Sequence, residues 1–468
     1  MLKTRVVLFL KLVLLLPACL LAQFTECADA NYTDALKSSL CATLKTPLYH
    51  QEGDDKTIDL FVRKFPSVKE KQGSLWLLSG GPGESGASLY PLVPMFAKMF
   101  PHLDIFIPDH RGTGLSGKIC PEEEGIDSPN GIALANNEWG PCYNYMYSHP
   151  AYVQAFSITN AAKDYNRIIN ELSGDGKRYV YGVSYGTQLI LRMLQLGSLQ
   201  VDKVILDSMV PLQNDSEYDL SKRSFVTDDV GRSFLSNRGV ADSGTSLITE
   251  MQSVLKRAEQ DTVFAKNLPK QKLSVIFGMM LDLPKVRNQI PNILKALTNN
   301  DFAPLNTAVD DISTFYEEYG AYPTSPSSIP LVQVITASEN NLRPQLTKSE
   351  VLAESEDLLF TSNLPYLMAE NATPVYEPDA YFGKIPENMP PTLIIHGTLD
   401  SKTHYKGTIR HYKALSEKSD HVQWVPVKNA PHFITLFAPK SFVAAATAFL
   451  QGEPVENKPI YDKEVLLN

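Results

Sequence analysis

The chain has 468 residues, 43% hydrophobic and 20% charged, with 26 Gly and 32 Pro, a composition that excludes collagen-like, coiled-coil and wholly disordered chains. The length suits one large α/β domain with a sizeable insertion, or two to three smaller domains. The formal charge is −9 without any basic run of five or more residues, so no nucleic-acid partner is expected.

Residues 1–22 read as a cleavable leader. Lys3 and Arg5 form a basic start, Leu12–Leu16 open an apolar stretch, and Ala18 and Ala22 offer small-residue cleavage points. Lys11 and Pro17 interrupt the apolar run, which leaves it short for a span of about 20 residues. A signal anchor is the alternative reading. Removing the leader takes three bases with it and deepens the negative charge. A secreted or lumenal protein is expected, a lysosome-like compartment included, with no stable membrane association once the leader is cut.

After the leader, four cysteines remain: Cys27, Cys41, Cys120 and Cys142. Four cysteines allow three pairings. Nearest-neighbour pairing, Cys27 with Cys41 and Cys120 with Cys142, closes the shortest loops and is the expectation in an oxidising compartment. No CxxC or HExxH occurs and the nine histidines are scattered, so no metal site is expected. Sequons at Asn31, Asn214 and Asn371 would make a glycoprotein of the chain in a eukaryotic host.

Short apolar runs bounded by Gly, Pro or Asp then recur at Ser74–Ser79, Asp104–Pro108, Tyr179–Val183, Val204–Leu206, Thr392–His396 and Val422–Val427, the pattern of buried strands. Helical runs at Ile158–Leu172 and Thr187–Gln195 separate some of them. Strands alternating with helices predict a mostly parallel, doubly wound α/β sheet. Between 209 and 388 the sequence turns mixed polar and helical, so a large, mainly helical cap inserted between sheet strands is predicted. The expected division is leader 1–22, first core part 23–208, cap 209–388 and second core part 389–468.

Motifs fall at the ends of these strands. Ser79-Gly80-Gly81-Pro82-Gly83 follows the first; residues lacking Cβ allow a backbone N–H to approach a developing oxyanion, and Gly81 is the candidate donor. A phosphate loop is excluded because Ala87 stands where Lys is needed. Gly182-Val183-Ser184-Tyr185-Gly186 is a G-x-S-x-G sequence between a strand and a helix, the setting of a nucleophile elbow: Ser184 would be the nucleophile and the Tyr185 N–H the second oxyanion donor. In such a fold an acid and then a histidine follow. Asp400 comes just after the strand Thr392–His396, and His432 just after Val422–Val427. His396, His404 and His421 compete for the base role, but the first is in a strand and precedes the acid, and the last begins a strand.

These motifs, with Asp109–Ser116 between them, resemble the proline-iminopeptidase and tripeptidyl-aminopeptidase group of α/β-hydrolase serine peptidases, over roughly 57–210 and 388–452. The resemblance implies an α/β-hydrolase fold, a helical cap, a Ser-His-Asp triad without cofactor, and substrates that are peptides with a free N-terminus. The cysteines and the C-terminal block lean toward its secreted branch. The stretch Val334–Glu339 is similar to a cap motif of the group with Ala337 in place of Cys, and makes Glu339 a candidate for pairing with the substrate α-amine. Asp109 and Arg111 read as structural, and Thr403 as a brace of the acid loop or a helix N-cap. A carboxylesterase or lipase on the same fold is the rival expectation, since the triad does not separate the two. Haloalkane dehalogenases and epoxide hydrolases, which use Asp as the nucleophile, are disfavoured by Ser184. A catalytically dead binding protein is disfavoured by the filled triad positions.

Overall fold

The computed structural model describes residues 23–50, 55–238, 244–455, 457–462 and 465; the predicted leader lies outside them. Each predicted strand is present. They are β4 (Gly73–Leu78), β5 (Leu103–Pro108), β6 (Lys177–Val183), β7 (Lys203–Asp207), β8 (Thr392–Gly397) and β9 (Val422–Lys428). Four strands escaped the sequence reading: β1 (Thr25–Glu26), β2 (Leu40–Pro47), β3 (Thr57–Phe65) and β10 (Ile460–Tyr461). β2 and β3 pair antiparallel and carry charged residues such as Asp59 and Arg63. Arg63 is nevertheless buried, held by Asp29, Ser39 and Tyr90, so its charge hid a strand whose partners are distant in sequence.

The strands form one sheet in the order β1-β2-β3-β5-β4-β6-β7-β8-β9-β10, parallel from β5 to β10. The chain runs from β4 outward to β5, then returns to the other side of β4 for β6. That reversal opens a crevice beyond the carboxyl ends of β4 and β6, where ligands bind in such sheets. Residues alternate across the sheet. Trp76 and Leu78 point to one face and Leu75 and Leu77 to the other, each into its own apolar cluster. Helices Ile158–Leu172 and Tyr185–Gln195 cover the first face. The former begins at Ser157, whose hydroxyl accepts the Asn160 N–H at 3.2 Å.

Between β7 and β8 every regular element among the described residues is helical. Most of these helices, among them Arg223–Ser236, Leu247–Gln260 and Ala303–Tyr319, share a third apolar cluster of their own. Helix Ile329–Glu339 is different: Leu331, Val334 and Ile335 enter the cluster under the sheet, which ties the insertion down over the carboxyl edge. Disulfides join Cys27 to Cys41 and Cys120 to Cys142, the nearest-neighbour pairing. Among the described residues no helix is long and apolar enough to cross a membrane.

Candidate active site

Register brings the motif-bearing loops together. Leu78 pairs with Gly182, Val183 with Asp207, and Asp207 with Ile395, so the chain segments leaving β4, β6, β7 and β8 emerge side by side. Ser184 is the tip of the turn from β6 into helix Tyr185–Gln195. It has φ 56° and ψ −124°, a left-handed value that costs on the order of 1–3 kcal/mol for a residue with Cβ. The flanking glycines serve a purpose other than the turn itself. A Cβ on Gly186 would lie 2.7 Å from the Leu78 and Ser79 carbonyl oxygens, and one on Gly182 would lie 2.8 Å from that of Gly186. Strain sits on the serine, and the glycines let helix and strand approach closely enough to impose it.

Gly81, Tyr185 and Ser184 line one cavity. Gly81 has φ 105°, and a Cβ there would lie 2.7 Å from the Gly83 and Glu84 backbone nitrogens. The loop is pinned from beneath by Asp109, whose carboxylate accepts the Gly86 N–H (2.9 Å), the Ser85 hydroxyl (3.0 Å) and the Leu115 N–H (2.8 Å). Tyr185 is anchored through its hydroxyl, 3.1 Å from His110 Nε2. His110 Nδ1 lies 2.5 Å from the Arg111 carbonyl and must donate there, which leaves Nε2 to accept. Burial pushes His110 down to about 4, so the ring stays neutral. Arg111 is clamped by Asp164 and backbone carbonyls; it and Asp109 hold loops, as their sequence context suggested.

Asp400 Oδ2 is 2.8 Å from His432 Nδ1. Its other oxygen accepts the Lys402 and Thr403 N–H groups at 2.8 Å each, and the Thr403 hydroxyl reaches Oδ2 at 2.8 Å. Thr403 is thus the brace; the N-cap of the next helix is His404. Burial opposes ionisation of Asp400, but the charge and hydrogen bond of His432, the charge of His396 and the Thr403 N–H outweigh it and hold the carboxyl well below the usual range. His396 Nε2 is 3.5 Å from the same oxygen, and burial pushes that ring down to about 4. His404 is occupied by Asp229 at 2.9 Å and stacks on Tyr218. Among the described residues no hydrogen bond joins the Ser184 hydroxyl to His432. In unliganded hydrolases that contact is commonly long and tightens with substrate.

His432 borders a second cavity, of about 370 Å³, lined by Phe315, Tyr316, Tyr319, Phe433, Leu436 and Phe437. Lys402, two residues after Asp400, lines both cavities.

Glu339 requires a correction. Its carboxylate lies 2.8 Å from Arg192 Nη2 and 3.1 Å from Gln213 Nε2, both members of the ion pair are buried, and Glu339 does not border the Ser184 cavity. Its negative charge is already matched, so no free carboxylate stands there for a substrate amine. The acid from the insertion that does face Ser184 is Asp219, alongside Arg223, Gln213 and Asn340.

Two further residues escaped the sequence reading. Asp207, at the end of β7, accepts the Ile434 and Thr435 N–H groups at 2.9 and 2.8 Å. Ser208 accepts the Phe433 N–H at 2.8 Å. Together they fix the segment just after His432. An acid at a strand's carboxyl end, the signal that marked Asp400, was available for Asp207 too.

A mostly parallel sheet with a serine elbow after one strand and an acid and a histidine after the last ones defines an α/β hydrolase. The family model of the alpha/beta hydrolase fold matches residues 74–439, and the chain belongs to that family. Over 207 residues it is 28% identical to the serine protease Hip1 of Mycobacterium tuberculosis and of Mycobacterium bovis, a match covering 40% of this chain and 39% of the length of those relatives. Similar solved structures include a carboxyl esterase from Bacillus coagulans (12% identity, 88% of this chain and 98% of that one, TM-score 0.41) and an esterase from Thermogutta terrifontis (13% identity, 88% and 98%, TM-score 0.37).

Proposed function

We propose that this protein is a secreted serine aminopeptidase, hydrolysing peptide bonds near a free N-terminus with Ser184, His432 and Asp400 as its triad. His432 takes the Ser184 proton, and the serine oxygen attacks the scissile carbonyl. The Gly81 and Tyr185 N–H groups stabilise the oxyanion. Asp400 fixes the imidazole tautomer, the proton passes to the leaving amine, and water releases the acyl-enzyme. No step calls on a cofactor. The two disulfides favour an oxidising compartment.

The observation that carries the peptidase reading over the esterase one is the polar lining beside Ser184. Among the Val210, Pro211, Leu212 and Leu220 side chains that also line it, Gln188, Gln213, Asp219 and Asn340 offer hydrogen bonds suited to peptide groups. Asp219 replaces Glu339 as the group for the α-amine. It accepts the Ser221 and Leu342 N–H groups at 3.0 Å each and the Ser221 hydroxyl, and a carboxylate has about four acceptor sites. The test compares a free-amine tripeptidyl coumarin amide, its N-acetylated twin and p-nitrophenyl butyrate. Cleavage of the free-amine peptide alone, abolished in Ser184→Ala by on the order of 10⁶ in kcat, is expected. Rapid ester turnover with both peptides untouched would replace this reading by a carboxylesterase.

A further inference from the structure

Arg223, the first residue of helix Arg223–Ser236, lines the Ser184 cavity and also the neighbouring one formed with Asp282, Thr361 and Lys402. It is half-buried, and the acids around it have other partners. Asp400 is taken by His432 and Thr403. Asp282 is taken by Lys402 and Ser401 at 2.8 Å each. Asp219 lines the same cavity, held by the backbone N–H groups of Ser221 and Leu342, and forms no ion pair with Arg223. Among the described residues no ion pair or side-chain hydrogen bond engages the Arg223 guanidinium; burial pushes its pKa down, and Asp400, Asp282 and Asp219 act on it only at longer range.

This arrangement is costly. A desolvated cation without a partner is unfavourable, and a cation at a helix N-terminus opposes the helix dipole. Arg63, Arg111 and Arg192, which are more deeply buried, are each paired with a carboxylate inside the protein; Arg287, also deeply buried, donates to the Asn429 carbonyl and is walled off from the Ser184 cavity. Lys402 does not share the role of Arg223, because Asp282 neutralises it. A guanidinium left open beside the nucleophile is a fork for a planar anion arriving with the substrate.

Which part of the substrate brings that anion follows from the two cavities. His432, which protonates the leaving group, borders the aromatic cavity, whereas Ser184 and both oxyanion donors border the one holding Arg223. The acyl part therefore lies against Arg223. On the aminopeptidase reading, on which this step rests, the carboxyl terminus of that part is the scissile carbonyl itself, so its free carboxylate is a side chain. We propose that Arg223 determines specificity by binding the carboxylate of an Asp or Glu in the N-terminal segment that the enzyme releases.

The experiment uses the full chain and matched pairs: free-amine peptidyl coumarin amides carrying Glu or Gln, and p-nitrophenyl hemiglutarate against p-nitrophenyl valerate. A hydrogen-bonded ion pair of this kind is expected to favour the acidic member by on the order of 10–100-fold in kcat/KM. Arg223→Gln should bring the ratio to about one by slowing only the acidic substrates, and Arg223→Lys should restore part of it. Equal rates on both members in the wild type, or an Arg223→Gln variant that slows both equally while circular dichroism shows it folded, would overturn the proposal. If Arg223→Gln does not fold, the wild-type ratio and Arg223→Lys decide. Turnover of esters alone would sink the aminopeptidase reading, and the hemiglutarate pair would still decide the role of Arg223.

Discussion

Glu339→Gln separates a structural carboxylate from a substrate-binding one. In the folded protein Glu339 Oε2 lies 2.8 Å from Arg192 Nη2. At that separation and an effective dielectric of about 20, the gross attraction is about 6 kcal/mol. The net value is smaller, because both charges have left water. Removing one partner of a buried pair costs roughly 3–5 kcal/mol, since the other charge stays behind. Arg192 keeps other contacts after the change: Thr159 at 2.5 Å, Gln195 at 2.9 Å and the partly exposed Asp379 at 3.4 Å. Asp379 supplies some compensating charge, which places the expected loss near the lower figure, about 3 kcal/mol. The assay is urea denaturation of wild type and Glu339→Gln, paired with kcat and KM on a free-amine peptide under conditions where both are folded. The midpoint should fall while kcat/KM changes by less than about threefold, or ~0.6 kcal/mol. An unchanged midpoint together with a KM raised only for free-amine substrates would refute the reasoning and return the amine to Glu339.

Burial pushes His110, His396 and His411 each down to about 4, against about 6.5 in an unfolded chain. As pH falls below about 6.5 the unfolded state binds protons first, so the stability these rings contribute is complete above that value and is lost as pH falls toward about 4. His411→Gln removes one such ring, so its urea midpoint should decline less than that of the wild type between pH 7 and 5; parallel declines would contradict the burial argument. Gly80→Ala places a Cβ 2.9 Å from Glu84 Oε2 and 3.2 Å from Ser184 Cβ. Overpacking of that kind costs about 1–3 kcal/mol, while displacement of the serine should cut kcat by on the order of 10²-fold. Undiminished turnover would mean that the loop yields without moving Ser184.

Much of the fold was legible from local pattern alone. The runs now seen as β4 to β9 are apolar and bounded by turn residues because both faces of a parallel sheet are buried, so their composition announces them without reference to any partner. Helix Ile158–Leu172 was legible from its apolar residues at helical spacing. Strands β2 and β3 were not. Arg63 looks foreign to a strand until Asp29, Ser39 and Tyr90 are found around it. The positions of Ser184, Asp400 and His432 were readable as well, since each stands where a strand ends.

What the sequence by itself determined were the residues whose position depends on their immediate neighbours: an elbow serine flanked by glycines, and an acid and a histidine in loops after strands. Tertiary structure alone decided which charges meet. Glu339 and Arg192 are 147 residues apart, Asp207 reaches forward to Thr435, and Arg223 is left without a carboxylate beside Ser184 although a count of nearby acids would have supplied one. The physical reason is that a strand or a turn is specified by a few consecutive residues, whereas an ion pair depends on distance and on the water excluded around it. Both of those arise only when remote segments are folded against one another.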